Sequence, residues 1–427
     1  MIVIAVGTII ENVNLGAGND TVNGNEADNT IDGNGGTDTF VMNMDRSFAT
    51  IIKTQVGYEV TSSLGTDILV DVEFIQFDDQ TLDLSTILAG VITYYDTANI
   101  YAWSSYTNTF DTAGVLTGVD IIYDAGLEVS NTYVNGVRTT ETATDAGNQY
   151  GWSSYTNTFD ASGAVTQQLI IYDTGLQVDT AYVNGAATTE TVTDAASQFV
   201  WANYTNTYNA SGVLTGVDIS YDSGLLVSNV YVNGIRTTET ATDAGGEFGW
   251  ASYVNTFNPS GAVIQQLIVY DTGLEVDTTY VNGAATSETV TDGASEFVWA
   301  NYTNTYNASG ALTGVDIVYD SGLEVSNSYV NGVRTTEIAT DVADDFEWTT
   351  YTNTFNASGE ITQQLMVYDN GLEADTTYVG GAVTAQTVTD ATDEFLWQNY
   401  ADTYDGAGML TQRIITYDDG SQETLNF

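Results

Sequence analysis

Seven residues near the N-terminus are of the right types and spacing to hold a cation. Asp20, Asn29 and Asp38 lie nine residues apart, and Val22, Ile31 and Phe40 share that interval. Gly16 and Gly18 precede the first oxygen-bearing side chain, and Gly33 and Gly36 precede the third. Glycine-rich turns gather backbone carbonyls and a carboxylate around one point, and calcium takes roughly six to eight such hard oxygens. The apolar residue after each turn is expected to point inward, giving a short parallel β-roll with calcium between successive turns. Gly16, Gly18, Asp20, Asn29, Gly33, Gly36 and Asp38 are therefore the candidate metal-binding residues, and calcium the expected cofactor.

A second set of residues recurs every 49 positions. The seven tryptophans are Trp103, Trp152, Trp201, Trp250, Trp299, Trp348 and Trp397, and three residues after each comes Tyr106, Tyr155, Tyr204, Tyr253, Tyr302, Tyr351 or Tyr400. An exposed row of tyrosines would stack on sugar rings, with repetition supplying avidity. The tryptophans read as structural wedges, because large aromatics dominate burial. Asp145, Asp194, Asp243, Asp292, Asp341 and Asp390 repeat as well and offer further oxygen ligands, but they read first as solvated hairpin ends.

The 49-residue unit must position these groups. The copy at Trp152 contains four runs rich in Thr, Val, Ile, Tyr and Phe, separated by ASG, TG and NG. Asn-Gly is a strong hairpin signal, so each unit is expected to be a four-stranded antiparallel meander. Trp152 is expected on one face of the first strand, with Tyr155 and Phe159 on the other. Two partly apolar faces would require the sheet to coil, close, stack or pair. Four strands in seven copies allow a seven-bladed propeller, with GVITYYD at 90–96 supplying the last blade's missing strand. Arg138, Arg236 and Arg334 occur only in alternate copies, which favours an open stack or solenoid. The expected organisation is a roll at 1–45, a β-rich cap at 46–90, and about seven repeats over 91–427, an all-β chain throughout.

Composition narrows the function. With 57 Asp and Glu against 6 Lys and Arg, the net charge is -51. Such a chain repels nucleic acid and anionic lipid and attracts divalent cations. It is nevertheless 43% hydrophobic and rich in aromatics, so it folds. Histidine and cysteine are absent, which removes the commonest general base and all thiol chemistry. No run of 18 apolar residues marks a membrane-spanning helix. The start, MIVIAVGTII, lacks the basic region of a signal peptide and reads as a buried strand or the cut edge of a longer protein.

LGAGND at 15–20, GNEADN at 24–29 and GNGGTD at 33–38 resemble the calcium-binding nonapeptides of RTX proteins, and GTDILVDVEFIQFDDQTLDL at 65–84 resembles the segment that follows them. Asn34 and Asn29 depart from that pattern. The resemblance implies type I export from a bacterium in an unfolded state and folding where calcium is abundant. Loosely, the YDAG, YDTG and YDSG turns are similar to YD-type repeats of bacterial surface proteins. The expected role is a secreted, extracellular or cell-surface protein with a structural or adhesive function. The alternative is a carbohydrate-binding repeat array that meets surface polysaccharide or other cell-surface components. Neither Pro259 nor DVADDFEW at 341–348, the most irregular positions, pairs with a recognisable catalytic partner, so an enzyme is not expected.

Overall fold

The computed structural model describes residues 11–427, in two compact units that divide between Val213 and Leu214. The apolar start at residues 1–10 lies outside the described residues. The chain is all-β, with two single 3-10 turns and no helix among the described residues long and apolar enough to cross a membrane.

The first unit opens with a parallel roll. Strands β1 (Asn12–Asn14), β2 (Thr21–Asn23), β3 (Thr30–Asp32) and β4 (Thr39–Val41) follow one another at nine-residue steps. Pairing skips one strand each time: β1 lies parallel to β3, and β2 parallel to β4. One coil is thus 18 residues, two nonapeptides, with a three-residue strand in each of two facing sheets. An insertion follows, containing β5 (Thr50–Lys53) and β6 (Tyr58–Ser62). The coil then resumes with β7 (Gly65–Val70) on β3 and β8 (Phe74–Gln76) on β4, and β9 (Thr81–Asp83) closes beside β8. Val22, Ile31 and Phe40 face inward and are fully buried, together with Val60, Leu69, Ile75 and Leu84. Residues 15–84 therefore share one apolar core.

From β10 (Gly90–Tyr95) onward the chain is an antiparallel meander, its strands eight or nine residues long between the six-residue β10 and the five-residue Gln422–Asn426. In the first unit each strand pairs with the next up to Trp201–Tyr208; in the second the same rule runs from Leu214–Tyr221 to Gln422–Asn426. The Asn-Gly turns have both residues at positive φ, 51° and 79° at Asn135 and Gly136, the pairing whose twist matches that of the flanking strands.

Two expectations are corrected here. The last strand of one repeat bonds directly to the first strand of the next, as Thr140–Thr144 does to Ser154–Thr158 and Ser287–Thr291 to Asn301–Thr305. Propeller blades are not joined that way, so the propeller alternative is set aside. The segment 90–95 does not serve the last repeat either. It pairs with Trp103–Phe110 and stands where a preceding repeat's fourth strand would be, with Thr93 and Thr107 hydroxyls 2.9 Å apart like those of Thr191 and Thr205.

The second correction concerns the faces. Within each unit, substantial contacts in the meander run only between strands adjacent in sequence, and the described cluster of buried apolar side chains belongs to the roll. Within each unit the repeat sheet is one layer thick. Its residues are mostly half-buried, as in Trp299–Tyr306, where every one is intermediate. Side chains gain cover from cross-strand neighbours, each such pair contributing roughly 0.2–1 kcal/mol.

The turn glycines give a test. Gly163 at φ 85° has open space where a Cβ would stand, whereas at Gly175, φ 89°, a Cβ would lie 2.6 Å from that of Ala196. Gly163→Ala should lose about 1–2 kcal/mol, the cost of the left-handed backbone alone. Gly175→Ala should lose clearly more. Urea unfolding of the two variants measures the difference, and equal losses would contradict the packing described.

Candidate functional site

At the roll's edges the turns stack and their carboxylates bridge coil to coil. The Asp20 N–H donates to Asp38 Oδ1 at 2.7 Å, and the Asp38 N–H donates to Glu73 Oε2 at 2.7 Å. On the opposite edge the Asn29 N–H and side-chain amide both donate to Asp67 Oδ1, at 3.0 and 2.6 Å. Asp20 itself accepts from Gly16 at 3.3 Å. Two oxygens in these ladders, Asp38 Oδ2 and Asn29 Oδ1, are buried without any donor. Glycine is required beside the first: a Cβ on Gly33 would stand 2.6 Å from Asp38 Oδ2, and one on Gly36, φ 127°, would stand 2.3 Å from the Gly18 carbonyl. Gly16, Gly18, Asp20, Gly33, Gly36 and Asp38 thus gather on one edge, while Asn29 lies on the other. Burial pushes the Asp67 carboxyl up, against hydrogen bonds from Asn29 that pull it down. Sequence reading missed Glu73 and Asp67 because the β5–β6 insertion breaks the nine-residue count that would have found them.

The tyrosine row is half-buried. A β-bulge between Trp152 and Ser154, repeated in the other copies, inserts one residue and turns the tryptophan onto the same face as Tyr155. The opposite-face expectation fails for that reason. Each tryptophan meets its tyrosine at 5.0–5.2 Å, edge-on or tilted, from Trp103–Tyr106 to Trp397–Tyr400. Beneath it, the Tyr155 hydroxyl and the Asn157 amide donate to Glu141 Oε1 at 3.1 Å, and Arg138 binds Glu141 Oε2. Burial first, and then the Glu141 charge, push the Tyr155 phenol up to about 12. Tyr204, Tyr253, Tyr302, Tyr351 and Tyr400 are raised as well, burial being the largest cause in each.

The alternation of copies has a structural cause at this point. Arg138, Arg236 and Arg334 lie 4.1–4.2 Å over the rings of Phe159, Phe257 and Phe355 in the following repeat. In the second and fourth copies Ala187 and Ala285 occupy the arginine's register and in the sixth Val383 does, and the following repeat offers Tyr208, Tyr306 or Tyr404. Two kinds of junction alternate, each with matched partners.

The junction aspartates correct a further expectation. Asp145, Asp194, Asp292, Asp341 and Asp390 are buried, not solvated hairpin ends. Each of these, and half-buried Asp243, accepts the backbone N–H five residues on at 2.6–2.7 Å. That bond fixes an aromatic, Tyr150, Phe199, Phe248, Phe297, Phe346 or Phe395, which stacks on the tryptophan at 5.0–5.3 Å. Those stacked rings are exposed on their outer side, 41–48%. The N–H groups of Phe248 and Phe297 hold the Asp243 and Asp292 carboxyls below the usual range. At the fifth junction the reverse holds for the turn residue Asp369, whose carboxyl is raised by burial and by Asp344, Asp341 and Glu347.

No protein-family model matches this chain, and no curated protein matches it. Among solved structures it is similar to a porin-like protein from Bacteroides uniformis, 15% identical, over 59% of this chain and 93% of that one, at a TM-score of 0.13. It is also similar to Saccharomyces cerevisiae Sqt1, 12% identical, over 72% of this chain and 92% of that one, at a TM-score of 0.12. Scores so low carry no argument about fold or function.

The raised phenols predict a pH signature. Tyrosine ordinarily loses its proton near pH 10. A phenol whose folded-state pKa is raised contributes stability that is complete below pH 10 and falls as pH climbs through the folded value, about 12 for Tyr155. Absorbance at the phenolate band should show a fraction of tyrosines titrating late, and Tyr155→Phe should shrink it. Uniform titration near 10 in the folded protein would contradict the Glu141–Tyr155 geometry.

Proposed function

We propose that this chain is a non-catalytic, secreted repeat protein with a structural or adhesive role outside the cell or on its surface, and that calcium assists the folding of its N-terminal roll. The observation that carries the reading is the pair of buried, donorless oxygens, Asp38 Oδ2 and Asn29 Oδ1, one on each edge of a parallel roll. An unpaired buried carboxylate oxygen is costly, and a hard cation is the ligand that satisfies one. Asp20 and Asp38, with carbonyls of the glycine turns, are the residues that would hold it. Resemblance to RTX nonapeptides makes type I export the route, with the ion coupling folding to arrival outside.

The array supports a spacer or adhesive role. Each repeat adds four strands, roughly 19 Å of sheet at the usual strand spacing. Its turns and ladders repeat without an irregular copy that gathers catalytic groups. Net charge of -51 supports contact with neutral or cationic surfaces and keeps so repetitive a sheet from pairing with its own kind.

A second reading, a carbohydrate-binding array, is favoured by one feature. The exposed platforms are the stacked rings of Phe199, Phe248, Phe297, Phe346 and Phe395 together with Tyr150, not the half-buried tyrosine row proposed from sequence.

Calcium titration of metal-free protein, followed by hydrogen exchange, tests the first reading. Amides of residues 16–20 and 33–38 should gain protection, and Asp38→Asn should abolish the gain. All seven tryptophans lie in the repeats, so their emission verifies that the variant's array is folded. Unchanged exchange in the roll with calcium present would overturn the calcium reading.

A further inference from the structure

We propose that at the roll's second edge the side-chain amide of Asn29 takes the place of a cation, so that this edge closes without metal and calcium is confined to the Asp38 edge. The claim rests on the proposed calcium reading for the Asp38 edge alone.

Asn29 and Asp67 are each only 3% exposed. Asn29 Nδ2 donates to the Ala27 carbonyl at 2.5 Å and to Asp67 Oδ1 at 2.6 Å. The backbone N–H of Asn29 donates to the same Asp67 oxygen at 3.0 Å. A turn carbonyl and a carboxylate from the next coil are the hard oxygens that calcium collects. Here a neutral donor spans them, and both protons of the amide nitrogen are engaged in doing so. Two further bonds tie the same coils. The Thr66 N–H donates to Asp28 Oδ1 at 2.7 Å, and the Ile68 N–H donates to the Asn29 carbonyl at 2.7 Å.

The Asp38 edge serves as the internal control. Its backbone ladder is alike: the Asp20 N–H donates to Asp38 Oδ1 as the Asn29 N–H does to Asp67 Oδ1. Its side chains differ. Asp20, Asp38 and Glu73 are all carboxylates, and Asp38 Oδ2 is buried with no donor. Asp20, Asn29 and Asp38 lie nine residues apart in one register, and only the middle one is an amide.

The two donorless oxygens of the roll are therefore unlike. Asp38 Oδ2 belongs to a carboxylate, and burying an unpaired charge costs far more than burying an unpaired neutral group. Asn29 Oδ1 belongs to a neutral amide and leaves no charge for a cation to cancel. An ion between the Ala27 carbonyl and Asp67 would have to displace the Asn29 amide nitrogen from both, so the Asn29 edge does not fit calcium.

Asn29→Asp in the full chain tests this, because it exchanges two donors for an acceptor. A carboxylate oxygen, the Ala27 carbonyl and Asp67 Oδ1 would then meet with no proton between them. In the unsubstituted protein the amides of Asn29, Thr66 and Ile68 should resist hydrogen exchange in metal-free buffer, and calcium should not change them. In Asn29→Asp the same amides should lose protection without calcium and regain it with calcium. Calcium-induced protection of these amides in the unsubstituted protein overturns the proposal, and so does a variant as protected as its parent without metal. Should the variant's roll stay unfolded even in calcium, the Asn29 side-chain NH₂ signals of the parent protein decide. Two slowly exchanging protons that calcium does not shift support the proposal, and fast or calcium-shifted protons overturn it. The two readings fail separately: no calcium effect at residues 33–38 sinks the first, and a calcium effect at Asn29, Thr66 and Ile68 sinks this one.

Discussion

Within each unit the repeat sheet is a single layer with no second layer of that unit's strands packed on it, and the rest of this structure follows from that constraint. With no opposing layer to bury apolar side chains, stability must come from the backbone ladder and from neighbours along each face. That ladder has to continue through the repeat junctions. A break there would leave two bare edges per repeat, each a template for pairing with another chain. The junction is accordingly where most side-chain investment lies: Glu141 collects Tyr155, Asn157 and Arg138, and Arg138 covers Phe159 of the following repeat. Long side chains that lie flat across their neighbours substitute for a core, the aromatic ring and the arginine stem being suited to it.

The two parts of the chain solve burial differently. The roll folds two short parallel sheets on each other and obtains an apolar core of Val22, Ile31, Phe40, Leu69 and Ile75. It needs close turns to do so, which brings carboxylates together at the edges. The array is an antiparallel meander without such coils, and its junction carboxylates instead cap loops at the end of the strands where the tryptophans begin. Both arrangements leave buried oxygens without a donor, in a chain with few cationic side chains.

Much of this was legible in the residues. The nine-residue interval gave the parallel coil, and the glycines with Asn-Gly gave the four-strand meander with its turns. What local pattern could not give was the consequence of a bulge. One extra residue after Trp152 reverses which face the tryptophan takes, and nothing in WSSYTNTF announces it. Nor does alternation in a strand reveal whether a second layer covers it, so the half-polar faces were read as needing cover they do not have. Glu73 and Asp67 were hidden by an insertion of variable length, and the buried state of Asp341 by a loop whose acids look solvated in sequence. The alternation of Arg138, Arg236 and Arg334 was visible, but its partner across the junction was not.

Continuity of the sheet through the junctions is the central claim, and hydrogen exchange resolved to single amides in the repeats tests it most directly. The account predicts that Thr140–Thr144 and Ser154–Thr158, which pair across a junction, exchange as slowly as Gln167–Ile171 and Gln177–Ala181, which pair within a repeat. Fast exchange at the junction amides with slow exchange inside each repeat would contradict it, because the repeats would then be separate blades.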